Sequence, residues 1–324
     1  MKKIVSLILI IALISAAFCA CNKNKEESYP LTVNGTSIDS EIFSYYLDSV
    51  WNSAEALGTK DGRITQATYM CIRYVAVNST FVKYGLSLDD GEKAKISEEA
   101  NVLWNMFGAH YESIGVSKQT FLKIRTSEFY VEKLRIAFFD AGGTDEISDD
   151  VLRGVLAENY IAFRYIRTPA LNQDVYGHDV PYTAEETEKL NSLYNSAIGK
   201  VTASYGTESA YSDISKVFPL TEQSYETIVT DSDDREFTSV FFNTVKSMPE
   251  GSATLVQYNG YVYLVYRLNI LSDPQIFSEK RSECLTIISE EPLQSKINVM
   301  CNSYQSVRNA SLAGRLYEEV AENK

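Results

Sequence analysis

Apolar residues fall three and four apart in several stretches of the chain, the spacing that sets them on one face of an α-helix. Phe43, Tyr46, Leu47, Val50 and Ala54 do so after a tight turn at Val33-Asn34-Gly35-Thr36, and Asp39 or Ser40 can cap the helix they predict. A second helix is predicted through Ala67, Met70, Tyr74, Val77 and Phe81 up to Gly85. A third runs through Ile96, Ala100, Leu103, Trp104 and Phe107 up to Gly108. Ser117 caps a fourth, which ends before Gly142-Gly143. Four helices with short connections predict a compact helical domain over residues 30–148, because each can hide its apolar face only against the others.

The pattern then changes. Asp149 or Asp150 can cap a short helix through Val151, Leu152, Val155 and Leu156, which leads into the strand-like run Tyr160-Ile161-Ala162-Phe163-Arg164-Tyr165-Ile166, stopped by Pro169. Thr183-Ala184-Glu185-Glu186 is a capping box, with Leu190, Leu193, Tyr194, Ala197 and Ile198 following at helical spacing. Helices are also predicted over residues 209–217 and 235–246, the latter carrying Phe237, Val240, Phe241 and Val245 and ended by Pro249-Glu250-Gly251. Residues 253–258 and 261–268 alternate around Asn259-Gly260, the dipeptide that best fits a two-residue hairpin turn. The order predicts a small α+β domain over residues 149–272. Beyond Pro274 two helices are expected, over residues 276–290 and from Pro292, at a first-turn position, through Leu293, Ile297, Met300, Tyr304 and Val307. Helices so short cannot bury their apolar faces alone, so residues 273–324 are expected to pack on the first domain. The expected fold class is therefore α+β: a helical domain built from both ends of the chain, with a small α+β domain inserted.

The first 21 residues stand apart. Lys2 and Lys3 precede an almost wholly apolar run over residues 4–18, too short to span a bilayer, and Ala20 precedes Cys21. This segment resembles the signal peptide of bacterial lipoproteins, which implies removal of residues 1–20 and lipid attachment at Cys21. Phe18 before Cys19 makes the alternative cut poorer. Residues 21–29 are mostly polar and read as a tether. The expected place of work is the extracytoplasmic face of a cell membrane. The net charge of −13 becomes more negative without Lys2 and Lys3, which argues against nucleic acid as a partner. Fourteen Phe and twenty-two Tyr supply ample core material. Past Cys21 only Cys71, Cys284 and Cys301 remain, without metal spacing; Cys284 and Cys301 are the nearest pair for a bridge, and buried free thiols the alternative.

The stretch Leu31-Thr32-Val33-Asn34-Gly35-Thr36-Ser37-Ile38-Asp39, followed by Phe43, Tyr46 and Leu47, resembles the opening of the PrsA and SurA family of extracytoplasmic parvulin-type foldases. Residues 147–166 resemble that family's lead-in helix and first parvulin strand, Glu236-Phe237-Thr238-Ser239-Val240-Phe241 its last helix, and Asn259-Gly260-Tyr261 its closing hairpin; residues 170–233 match little. The resemblance implies a chaperone domain with an inserted peptidyl-prolyl isomerase-like domain, unfolded secreted polypeptides as partners, and no cofactor. It also exposes departures. Where active parvulin domains carry two histidines, this chain reads Tyr165 and Val262. Tyr165 can still donate one hydrogen bond and is the possible catalytic residue; Val262 can donate none. Phe237 matches the apolar residue that packs on a substrate proline, although ordinary core packing explains it as well. Weak or absent isomerase activity follows as the expectation.

Other chemistry finds little support. His178 with Asp174 and Asp179 offers metal-ligand types in one loop, but such groups are usually solvated. Asp231, Asp233, Asp234 and Glu236 imitate the start of a calcium loop without its glycine or terminal glutamate, and a helix N-terminus collecting acidic residues explains them. His110, beside the Trp104 helix, reads as structural. No metal site is expected. Three functions remain in view: a lipid-anchored folding factor that binds unfolded chains, an active prolyl isomerase, and a non-chaperone binding lipoprotein of the cell surface.

Overall fold

The structure, a computed structural model, describes residues 28–324 apart from Leu57 and Tyr205. Its contacts divide the chain into two compact units: the described residues up to Glu146 together with Ser289–Lys324, and Ile147–Ile288.

The first unit is mainly helical. Strands β1 (Leu31–Val33) and β2 (Thr36–Ile38) form a hairpin whose turn places Asn34 at φ 45° and Gly35 at φ 80°, both in the left-handed region. Four helices follow: α1 (Ser40–Ser49), α2 (Lys60–Lys83), α3 (Asp90–Ser113) and α4 (Lys118–Phe139). Their starts are fixed by side chains that satisfy otherwise orphaned N–H groups. Thr59 accepts from the Gly62 N–H, Ser117 from the Thr120 N–H, and Asp89 forms a reciprocal capping box with Glu92. The core gathers Leu31, Val33, Phe43, Leu47, Ala67 and Ile124 with Ala313 and Val320 from the far end of the chain.

The C-terminal segment differs from its expectation. One helix, α9 (Pro274–Asn302), runs through Pro292 where two were predicted. Val307 is not helical but lies in strand β10 (Ser306–Arg308), which pairs antiparallel with β1, Val307 facing Thr32. A further helix, α10 (Ala310–Ala321), follows, with Asn309 accepting from the Leu312 N–H. The sequence reading overlooked it, although Leu312, Ala313, Leu316 and Val320 are spaced to bury one face and are buried. Helix α3 also outruns its predicted stop at Gly108. That glycine is buried inside the helix, and a Cβ there would meet the Trp104 ring at 2.8 Å, so it serves ring packing, not termination.

The second unit opens with α5 (Asp149–Asn159), capped by Ser148; Asp149 and Asp150, the expected caps, occupy its first turn. Strand β3 (Ile161–Pro169) is the spine of the sheet. On one side it pairs with the short β6 (Glu222–Gln223) and β7 (Ile228–Thr230); on the other it pairs with β9 (Tyr261–Leu268), which pairs with β8 (Ala253–Tyr258). The hairpin turn places Asn259 at φ 48° and Gly260 at φ 80°, as the dipeptide predicts. A two-stranded ribbon, β4 (Asn172–Gln173) with β5 (Asp179–Val180), precedes α6 (Ala184–Ser204) and α7 (Glu208–Ser215). The Thr183–Glu186 capping box forms, with the Thr183 N–H on Glu186 Oε2 at 2.8 Å and the Glu186 N–H on Thr183 Oγ1 at 3.2 Å. Helix α8 (Ser239–Ser247) starts four residues later than predicted, because Asp234 Oδ1 accepts from the N–H groups of Glu236 and Phe237 and holds them in a turn. The sheet has two apolar faces. One packs on α8 through Phe163, Phe237, Phe241 and Val265, the other on α6 and α7 through Ile166, Tyr194, Leu264 and Tyr266.

Candidate functional site

Strand alternation decides which side chains of the second unit can act together. In the β3–β9 register Tyr165 faces Val265, Arg167 faces Tyr263 and Thr168 faces Val262. Residues directly opposite share a face, so Tyr165, Arg167 and Tyr263 look toward α8. Val262 lies on the other face, among the residues packed by α6. The two positions expected to replace the family histidines therefore do not meet. A one-residue slip along a strand moves a side chain to the opposite face, and Tyr263 is what stands near Tyr165, at a ring separation of 5.4 Å.

Around them the aromatic face is tightly packed, with Tyr165, Tyr258 and Tyr261 half-buried at its surface. Phe237 is 4% exposed, wedged between Phe163 at 5.1 Å, Phe241 at 5.0 Å and Tyr165 at 6.1 Å. It packs in the core of the second unit, the ordinary packing that the sequence also allowed. Arg167 caps the cluster, its guanidinium 4.7 Å from the Tyr261 ring and 5.5 Å from the Tyr165 ring. Arg167 also donates to Tyr263 Oη at 3.2 Å, Glu222 Oε2 at 2.7 Å and Glu236 Oε1 at 3.3 Å. Burial holds the Tyr165 and Tyr263 phenols above their ordinary range, in both cases against the pull of Arg167. The phenols keep their protons and the guanidinium keeps its charge, so this face holds no group that exchanges a proton near neutral pH. Arg167 escaped the sequence reading; counting two from Tyr165 would have found it.

The remaining candidates resolve into structural roles. His178 Nδ1 lies 3.2 Å from Asp174 Oδ2, and Asp174 Oδ1 accepts from the N–H groups of Tyr176 and His178, closing the β4–β5 turn. These hydrogen bonds hold the Asp174 carboxyl below its usual range. Asp231 Oδ1 accepts from the Asp233 N–H in the turn before α8, and Glu236 serves Arg167. Among the described residues no three His, Cys, Asp or Glu side chains converge as a metal site. His110 Nε2 is 2.8 Å from Asp48 Oδ1, which also binds Lys324 Nζ at 2.6 Å. Cys71, Cys284 and Cys301 are free and buried. Cys21 lies outside the described residues.

The helical unit offers a different surface. Of the 24 residues of α3 only Ile96, Ala100 and Gly108 are buried. Val102, Met106 and Phe107 are 55%, 67% and 46% exposed; Val102 and Met106, four apart, share one side of the helix, and Phe107 lies on the neighbouring side, four residues from Leu103. Leu122 and Ile136 on α4 are also exposed. Scattered apolar residues are ordinary on a surface, and here three of them fall within six positions of one helix.

No family model matches the sequence, and no curated protein matches it. Among solved structures the chain is similar to the foldase protein PrsA from Streptococcus pneumoniae, with 12% identity, 86% of this chain and 88% of that chain covered and a TM-score of 0.32. It is similar to PrsA from Bacillus subtilis, with 13% identity, 85% of each chain covered and a TM-score of 0.25. It is also similar to the foldase protein PrsA from Lactococcus lactis, with 9% identity, 90% of this chain and 98% of that chain covered and a TM-score of 0.35. At such identities and scores the likeness carries no argument, and what the chain does rests on its own residues.

Proposed function

We propose that this chain is an extracytoplasmic folding factor, lipid-anchored to the membrane through Cys21, that holds unfolded secreted polypeptides on the exposed apolar residues of α3 and has weak or no prolyl isomerase activity. The observation that carries the reading is the exposure of Val102, Met106 and Phe107 on a long helix otherwise solvated along most of its length. An unfolded client presents apolar side chains without fixed shape, and a flexible, Met-containing apolar surface suits such a partner. The acidic character of the chain favours clients with basic segments and keeps the holder soluble. The aromatic face of the second unit argues against isomerase chemistry, because its candidate residues are packed together and filled in. Residues 30–148 with 273–324 serve as the holding domain, and residues 149–272 as a parvulin-like domain with another use.

The test is aggregation of a chemically unfolded reporter protein in the presence of the chain from Asn22 onward. Roughly stoichiometric holder should suppress light scattering. The combined variant Val102→Ser, Met106→Gln, Phe107→Ser should lose most of that suppression at an unchanged melting temperature, since exposed positions contribute little to stability. Equal suppression by the variant would remove α3 from the reading.

A further inference from the structure

Within the second unit the tip of the β8–β9 hairpin faces α6 across a hollow. A cavity of about 610 Å³ lies there, walled by Thr187, Leu190 and Asn191 of α6, by Leu171, Pro181 and Tyr182 of the chain between β3 and α6, and by residues 257–262 of the hairpin. That volume is in the range of small-ligand sites, about 300–1,000 Å³.

The walls are fixed by bonds of the chain to itself. The Ala170 N–H donates to Gly260 O at 2.8 Å and joins the end of β3 to the hairpin turn. Tyr182 Oη donates to Pro169 O at 3.2 Å, and its ring meets the Phe218 ring edge-on at 5.6 Å. The Thr183–Glu186 capping box starts α6 directly after it. A cavity held open in this way needs little reordering to receive a ligand.

The lining departs from the rest of the chain. Charged residues make up 23% of the sequence, so about three would be expected among the thirteen that line the cavity, and there is none. A neighbouring cavity of about 300 Å³ shares Tyr182 but carries Glu185, Glu186 and Lys189. In place of charge the larger one presents Thr187, Asn191, Gln257 and Asn259, one hydroxyl and three amides. Among the described residues none of these four side chains has a hydrogen-bond partner within the protein. Thr187 and Asn191 are one turn apart and project from the same side of α6. Gln257 stands opposite Val262, which packs on the α6 face of the sheet, so Gln257 looks that way too. Tyr258 and Tyr261 pack their rings toward α8 and give this cavity their backbone. Leu171, Leu190, Val262 and the Tyr182 ring supply apolar surface between the polar groups.

An amide both donates and accepts hydrogen bonds, and so does a hydroxyl. The ligand that matches such a lining is neutral, carries several groups that donate and accept, and has apolar C–H faces between them, which is the chemistry of a sugar ring. An ionised ligand would give up hydration without meeting an opposite charge, and polypeptide, about one quarter charged on average, matches the lining less well. We propose that this cavity binds a neutral saccharide, its hydroxyls bonded by Thr187, Asn191, Gln257 and Asn259 and a C–H face laid against Leu190, Val262 and Tyr182. The site lies on the face of the sheet opposite Tyr165 and shares no residue with α3.

The probes are maltose, cellobiose and N,N′-diacetylchitobiose, uncharged disaccharides that differ in linkage and substituents, titrated into the chain from Asn22 onward and followed by NMR of the side-chain amides. At millimolar sugar at least one of them should shift the Asn191, Gln257 and Asn259 amide signals saturably. Asn191→Ala and Gln257→Ala, both at exposed positions, should each weaken that binding about fivefold at an unchanged melting temperature, the loss of one hydrogen bond. Lys189→Ala, on α6 but outside the cavity, should bind as the parent chain does. The α3 triple variant should also bind as the parent does, so loss of client holding and loss of sugar binding are read separately. A longer oligomer of the same sugar that binds more tightly identifies a stretch of glycan as the ligand, and equal binding a free or terminal sugar; both bear the proposal out. No saturable shift with any of the three disaccharides overturns it. So do shifts with a capped tetrapeptide of alanine and glutamine where the sugars give none, which assign the cavity to polypeptide.

Discussion

Arg135 is a buried cation in the helical unit, 5% exposed, and its position on α4 makes it dependent on named acceptors. Nε donates to Glu132 Oε2 at 2.8 Å, Nη1 to Ser289 Oγ at 2.9 Å and Nη2 to Glu290 Oε2 at 2.6 Å. The hydrogen bond from Arg135, followed by that from Gln294, holds the Glu290 carboxyl below its ordinary range. A carboxyl depressed in the folded state stabilises the fold above its unfolded pKa, near 4.5, and loses that contribution as pH falls through the lower folded value. Glu290→Gln should therefore cost about 1 kcal/mol at pH 7, a figure reduced because the Glu290 side chain is 54% exposed, and nearly nothing well below pH 4. Thermal melting of both proteins at the two pH values checks this: a gap that persists or widens in acid contradicts the pairing. Residue-scale legibility was uneven for a physical reason. Tyr165 and Phe237 were visible as candidates from the sequence, but whether Val262 or Tyr263 faces Tyr165 depends on strand register, which one residue of slip inverts.

At the scale of the element, periodicity and capping carried most of the structure. Helices α1, α2, α4 and α6 and the β8–β9 hairpin follow from apolar spacing, Thr183–Glu186 and Asn259-Gly260. The failures occurred where tertiary packing overruled a local stop signal. Gly108 reads as a terminator but is a seat for the Trp104 ring, and Val307 continues a helical pattern but is claimed by β1. Pro292 is the clearest case. Inside α9 it offers no N–H to the Ile288 carbonyl, and its ring crowds that carbonyl, yet the helix continues because Leu293 and Ile297 beyond it are fully buried. The proline is itself exposed, so no packing is lost with its ring. Pro292→Ala should restore the missing bond and raise stability by about 1–3 kcal/mol, seen as a higher denaturant midpoint at unchanged slope. A lower midpoint would mean that the proline's restriction of the unfolded chain outweighs the missing bond.

The two units are assembled from different parts of the chain. The helical unit is closed by both ends of the sequence: β10 pairs with β1, the Asn34 N–H donates to Gln305 O at 2.9 Å, and Ala313 and Val320 complete the core begun by Leu31. The sequence order already implied that closure, because the last segment is too short to hide its apolar residues alone. It did not reveal how thoroughly the second unit had filled the face on which Tyr165 stands. Rotation about a prolyl bond meets a barrier of about 18–20 kcal/mol, and each tenfold acceleration requires about 1.4 kcal/mol of binding directed at the twisted amide. That binding needs open surface and aimed donors. Tyr263 is 2% and Phe237 4% exposed, and Arg167 is already bonded to Glu222, Glu236 and Tyr263. On the reading proposed above, this packing and the neutralised cation leave little free energy for a proline. Prolyl exchange in a proline-containing peptide, followed by NMR, should therefore run at the same rate with the chain from Asn22 onward as without it, and Tyr165→Phe should change nothing. Acceleration that disappears in Tyr165→Phe would show that the aromatic face opens to substrate and would make Tyr165 a catalytic residue.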